Sequence, residues 1–136
     1  MLLLDNSAWA RRRNPAVRER IAAVMRASKC GVCLPFLLEA GFSARSARDH
    51  AGILADLATL PRAAITPAVE HVALEAQGDL ARVGHHGLSP VDILIAACAH
   101  ESGAGVLHYD RDYDVLREHT RLRFRSEWLA PAGSLS

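Results

Sequence analysis

A chain of 136 residues has room for one ordinary domain and not for two. Half of its residues are hydrophobic and 23% are charged, which excludes a disordered or collagen-like chain. Lys+Arg number 16 against 15 Asp+Glu, and a formal charge of +1 excludes both a sequence-blind polyanion binder and an acidic tail protein.

The apolar run Leu2-Leu3-Leu4 reads as a buried strand ending at Asp5. No basic segment precedes it, so neither a secretory signal nor a membrane span is expected, and the expected location is the cytoplasm. Asn6 or Ser7 is positioned to cap a short helix through Arg13, and Asn14-Pro15 to open a second. In that second helix Val17, Ile21, Val24 and Met25 recur at helical spacing, and Gly31 is expected to break it. Val32-Cys33-Leu34 is the next strand, and Pro35 starts a helix carrying Leu38, Glu39 and Phe42. A further helix is expected over 47–60, a weak strand over 63–65, and a helix opened by Thr66-Pro67 that runs to about Val83.

Gly84-His85-His86-Gly87 is a loop, with no third ligand near the histidines. Ser89-Pro90-Val91-Asp92 then combines a capping hydroxyl, a proline for the first helical position and an acid for the first turn. The helix it opens is apolar nearly all round to Ser102 and must be buried. Gly103 ends it. Val106-Leu107-His108-Tyr109 is a strand ending at Asp110, Tyr113–Leu116 a short turn, Leu122–Phe124 a last strand, and the residues after Trp128 a tail. Cys30, Cys33 and Cys98 are an odd set without a secretory signal, so they read as small apolar residues and not as a disulfide framework.

Strand and helix alternate, which implies a parallel sheet with helical crossovers and a site outside the carboxyl ends of the strands. Asp5, Asp92, Asp110 and Asp112 fall at strand ends or first turns, and Glu39 about one turn into its helix. Carboxylates gathered on one edge repel: two unit charges ~4 Å apart cost on the order of 4 kcal/mol at an effective dielectric of 20. Such a cluster needs a cation or bound protons. Hard oxygen ligands select Mg²⁺ or Mn²⁺ over zinc, and a coordinated water lowered in pKa is a nucleophile for a phosphodiester. Each acid also has a structural alternative as a cap partner, a dipole complement, a turn residue or a solvated side chain, and Asp114 is assigned to the surface.

Leu-Leu-Asp5-Asn-Ser7, Pro35-Phe-Leu-Leu-Glu39, Leu88-Ser-Pro-Val-Asp92-Ile-Leu-Ile-Ala-Ala-Cys-Ala99 and Val106-Leu-His-Tyr-Asp110-Arg-Asp112-Tyr-Asp114 together resemble the PIN domain, and within it the VapC toxins of VapBC toxin–antitoxin pairs. The last two segments are the specific ones. The resemblance implies a single domain over residues 1–136, with a three-layer α/β/α PIN-like fold and a central parallel sheet of four to five strands. It implies an endoribonuclease dependent on Mg²⁺ or Mn²⁺, which hydrolyses RNA with a metal-activated water and leaves 5′-phosphate and 3′-hydroxyl ends. By the same resemblance Asp5, Glu39, Asp92 and Asp110 form the acidic metal site and Asp112 adds a ligand. Ser7 matches a hydroxyl that supports the first aspartate. Many relatives carry Thr where this chain has His108. A homodimer is implied, as is a cognate VapB-type antitoxin whose arginine meets the carboxylates.

Arg11, Arg12 and Arg13 follow the first acid and Arg45 and Arg48 follow Glu39; both groups are candidates for holding RNA phosphates. Trp9, Phe42 and Tyr113 are candidates for stacking on bases, with core or dimer packing as the alternative. A receiver domain would need a lysine late in the sheet, and the sole lysine, Lys29, precedes the second strand. A haloacid-dehalogenase phosphatase would need an acid where Ser7 stands. The remaining alternatives are a PIN-like module that binds RNA or protein without cutting, and a PIN nuclease in general RNA processing. All four acids are retained, which favours the enzyme.

Overall fold

A computed structural model describes residues 1–135. Its elements, in chain order, are β1 (Leu2–Leu4), α1 (Asn6–Trp9), α2 (Arg18–Arg26), β2 (Cys30–Cys33), α3 (Leu34–Phe42), α4 (Ala47–Leu57) and β3 (Arg62–Ala63). There follow α5 (Pro67–Arg82), α6 (Pro90–Ser102), β4 (Gly105–His108), α7 (Asp112–His119) and β5 (Arg125–Trp128). All strand pairs are parallel, in the order β3-β2-β1-β4-β5. Parallel neighbours require crossovers, and the helices supply them. Helices α5, α6 and α7 pack on one another, as α1 and α4 do on α3, so the sheet lies between two helical groups.

Local chemistry explains most boundaries. Ser46, Thr66 and Ser89 cap α4, α5 and α6 through their hydroxyls, and prolines sit in the first turns of α3, α5 and α6. Gly103 closes α6 in the left-handed conformation at φ 69°. In α6, Ile93, Ile95, Ala96, Ala97, Cys98 and Ala99 are buried, as the all-round apolar pattern requires. Gly105 opens β4 between β1 and β5; a Cβ there would stand 2.7 Å from the Arg125 carbonyl oxygen and 2.8 Å from a Leu2 methyl.

Several expectations are corrected. Asp5, not Asn6 or Ser7, caps α1 by accepting the Ser7 N–H, and the helix is only four residues long. Asn14-Pro15 forms a turn stapled by the Asn14 side chain, and α2 starts at Arg18. Gly31 does not end that helix: the chain turns at Ser28, which takes φ 53°, and Gly31 lies inside β2. Tyr113–Leu116 belongs to the longer helix α7. The last strand is the polar Arg125–Trp128; Leu122 and Phe124 are buried ahead of it in the loop. The cysteines are free and buried.

Candidate metal centre

The chain goes from β1 to β2 on one side and later returns to pair β4 on the other side of β1. In an open parallel sheet such a reversal leaves a crevice at the carboxyl ends of the strands. Asp5 leaves β1 there and Asp110 leaves β4, while the Asp5 N–H donates to the Leu107 carbonyl at 3.1 Å. Asp92 enters from the first turn of α6, and Asp112 from the first turn of α7.

Asp92, Asp110 and Asp112 each present a carboxylate oxygen, and the three lie within 4.8 Å of one another. The Asp112 N–H donates to Asp110 Oδ1 at 2.9 Å, which fixes one carboxylate against the next turn. Asp5 is held differently. Its Oδ2 accepts from the Ser7 N–H at 2.9 Å and the Ser7 hydroxyl at 2.5 Å, and its Oδ1 accepts from the Tyr113 hydroxyl at 2.6 Å. The Ser7 oxygen in turn accepts the Tyr109 N–H at 2.8 Å, tying β1 to the end of β4. Tyr113 also lies 3.3 Å from Asp92 Oδ1, so one phenol stands between two buried acids. Glu39 is half-buried on α3 and lies outside the group of three, but its field reaches it.

Asp5 is 3% exposed and Asp92 is 7% exposed, so neither charge is solvated. Burial, followed by repulsion from Asp5, Asp110, Glu39 and Asp112, pushes the Asp92 carboxyl up to about 7. Burial and then Asp5 and Asp110 raise Glu39; burial and then Asp110 raise Asp112, against the pull of Arg111. Burial first, then Asp5 and Asp92, drives the Tyr113 phenol well above its usual range, so it stays protonated and donates. Among the described residues none of the five acids has an ion-pair partner. An all-oxygen set with that much uncompensated charge fits a hard divalent cation.

His108 is fully buried, and burial lowers its pKa despite nearby Asp114, Asp5 and Asp110, so the ring is neutral. Its Nδ1 accepts the Asp110 N–H at 3.1 Å. Tyr113 takes the core-packing alternative: it is wholly buried and faces Asp5, so it is no platform for a base. Trp9 is likewise core, edge-on to Phe36, while Phe42 is 91% exposed. Arg11 bonds the Ser7 carbonyl and lies over the Tyr109 ring at 4.4 Å, at the rim of the acids. Arg12 stacks on Trp9 and, with Arg13, Arg48, Asp49 and Asp56, lines a shallow groove, and Arg45 is exposed nearby. His85 packs on His119 at 4.7 Å, away from the acids. Asp114, expected on the surface, is exposed but engaged: it accepts from Ser126 and from the Trp128 indole.

A parallel sheet in this order, with carboxylates converging where its winding reverses, is the architecture of a PIN domain, and the PIN domain model matches residues 2–118. The chain belongs to that family. It is 34% identical over 135 residues to Ribonuclease VapC18 of Mycobacterium tuberculosis, covering 97% of both chains. It is 32% identical over 133 residues to Ribonuclease VapC51 of the same organism, covering 98% of this chain and 96% of the relative. The fold matches a solved chain of DNA-bound VapBC from Salmonella typhimurium with a TM-score of 0.76 and 21% identity, over 96% of this chain and all of the other.

Proposed function

We propose that this chain is the ribonuclease toxin of a toxin–antitoxin pair and cuts RNA at the acidic crevice. The relatives named VapC ribonuclease support the class, and one observation carries the chemistry: Asp92, Asp110 and Asp112 converge within 4.8 Å with no ion-pair partner among the described residues. Asp92, Asp110 and Asp112 would hold a Mg²⁺ or Mn²⁺ ion, with Asp5 and Glu39 completing the catalytic acids. When bound, such an ion lowers the pKa of a water and offsets charge on the leaving oxygen. Ser7 and Tyr113 hold Asp5 to one orientation, so its carboxylate does not drift away from its neighbours. Buried walls around Asp5 and Asp92 keep bulk water from screening the site.

Arg11, bonded to the Ser7 carbonyl and lying over the Tyr109 ring, is the first candidate to bind a backbone phosphate; Arg12, Arg13, Arg45 and Arg48 extend the basic edge. Leu34, Leu38 and Phe42 of α3 form an exposed apolar face with Ile65, Val91 and Leu94, a groove that begins at Glu39. We assign it to a second copy of the chain, and the crevice beside it to a VapB-type antitoxin. The single domain acts where its RNA is, in the cytoplasm.

The test is cleavage of a structured RNA with Mg²⁺ or Mn²⁺, with and without EDTA, for wild type and Asp92→Asn. Activity is expected only with the metal, and the variant should lose on the order of 10²–10³ in rate. Equal cleavage in every condition removes the metal mechanism. No cleavage by folded wild type in any condition makes the chain a binding module.

A further inference from the structure

We infer that Ser126 and Asp114 are positioning residues for the acidic loop 110–112 and act through His108. This rests on the metal-site reading above and concerns how that site is held. Four hydrogen bonds run in series from the far edge strand. The Asp110 N–H donates to His108 Nδ1 at 3.1 Å, His108 Nε2 lies 2.7 Å from Ser126 Oγ, and Ser126 Oγ donates to Asp114 Oδ1 at 2.7 Å. The Trp128 indole N–H closes the series on Asp114 Oδ2 at 2.8 Å.

The direction of every bond is forced from both ends. A main-chain N–H can only donate, so Nδ1 must present its lone pair, and a neutral ring then carries its proton on Nε2. A carboxylate can only accept, so the single Ser126 proton goes to Asp114, which leaves the hydroxyl lone pairs for Nε2–H. His108 is 0% exposed and cannot exchange either partner for bulk water. With the other tautomer, an N–H at Nδ1 would face the Asp110 N–H, and that amide would have to move. Asp110 Oδ1 in turn accepts the Asp112 N–H, so a displaced amide disturbs two of the three converging acids. The ring also stacks on Tyr113 at 4.8 Å, behind the hydroxyl that holds Asp5. The sheet register supports the path: His108 pairs with Trp128 across β4 and β5, which sets Ser126 beside the imidazole.

The test uses the full chain, labelled with ¹⁵N and free of metal. A ¹⁵N–¹H correlation reads the His108 tautomer and the Asp110 amide, and Mn²⁺ titration followed by electron paramagnetic resonance reads affinity. Wild type should show one neutral tautomer with the proton on Nε2. Ser126→Ala should mix the tautomers, shift the Asp110 amide and weaken Mn²⁺ binding about tenfold; Ser126→Thr should restore all three. If Ser126→Ala does not fold, Asp114→Asn, whose amide frees the direction of the Ser126 proton, should mix the tautomers by the same route. An unchanged tautomer and amide in the folded variant overturns the proposal, as does unchanged Mn²⁺ affinity when both have moved. A wild type that binds no Mn²⁺ defeats the metal reading instead, and the tautomer and amide signals still decide the relay.

Discussion

Asp92 stands in the first turn of α6, ahead of a run of Ile, Leu, Ala and Cys from Ile93 to Ala99, and its carboxyl has exchanged water for the company of other acids. Its proton is therefore held up to about 7, against an ordinary value of 3.8. An acid whose folded pKa is raised binds more protons in the native state than in the unfolded chain between those two values. Stability from this group is thus complete below about 4 and is lost as pH rises through about 7. The span corresponds to ~4 kcal/mol at most. Denaturant unfolding of metal-free protein should show stability falling between about pH 4 and 7 and levelling above that, and Asp92→Asn should flatten that fall. A wild-type profile as flat as the variant's would refute it. Asp5, Asp92, Asp110 and Asp112 were legible in the sequence because each sits where a strand ends or a helix begins. Tyr113 was not: its phenol meets Asp5 only through the packing of α7 under the sheet, and a lone aromatic between charged residues carries no such signal. Ser126 was hidden for the same reason, since its partner lies 18 residues away across two strands.

At the scale of elements, caps and prolines made α4, α5 and α6 readable, and continuous apolar runs made β1 and β4 readable. Edge strand β5 has neither mark. Its Arg125-Ser-Glu-Trp128 is held in place by main-chain pairing to β4 and by Arg20 of α2, which reaches Glu127 and the Trp128 carbonyl from across the chain. Apolar Leu122 and Phe124 plug the core just before the strand, and that pulled the sequence-based boundary too early. Helix α3 is the opposite case: its Pro35, Phe36, Leu37 and Ala40 are buried, yet Leu38 remains 66% exposed and Phe42 more so. Large apolar groups gathered on one exposed face mark an interaction surface. Leu38→Glu combined with Phe42→Glu should convert a dimer to a monomer in analytical ultracentrifugation while leaving the thermal midpoint of the monomer nearly unchanged. A monomeric wild type, or a double variant that still dimerises, would count against a second copy on this face.

The whole molecule separates its charge. Residues 10–30 hold seven cations against Glu19, and residues 89–114 hold five acids against Arg111, so a net +1 conceals a basic edge beside an acidic crevice. On α5 two acids are neutralised locally: Arg121 clamps Asp79 and Glu75, and holds Asp79 well below the usual carboxylate range. The acids of the crevice have no ion-pair partner among the described residues, so their balance depends on what the crevice binds. A ligand that binds the native state alone stabilises it by about 2.7 kcal/mol at a hundred times its dissociation constant. Saturating Mn²⁺ should therefore raise the thermal midpoint by several degrees, whereas NaCl of equal ionic strength should give only the small gain of screening. The sign of the pH dependence follows from Asp92. At pH 6 the ion must displace a proton from that carboxyl; at pH 8 the carboxylate is already charged and the metal-free fold is at its weakest. The Mn²⁺-induced rise should accordingly be larger at pH 8 than at pH 6, and the difference should vanish in Asp92→Asn. Scanning calorimetry of the two proteins at both pH values measures this directly. A shift equal at the two pH values, or one reproduced by NaCl, would mean that the ion does not bind at the acids gathered around Asp92.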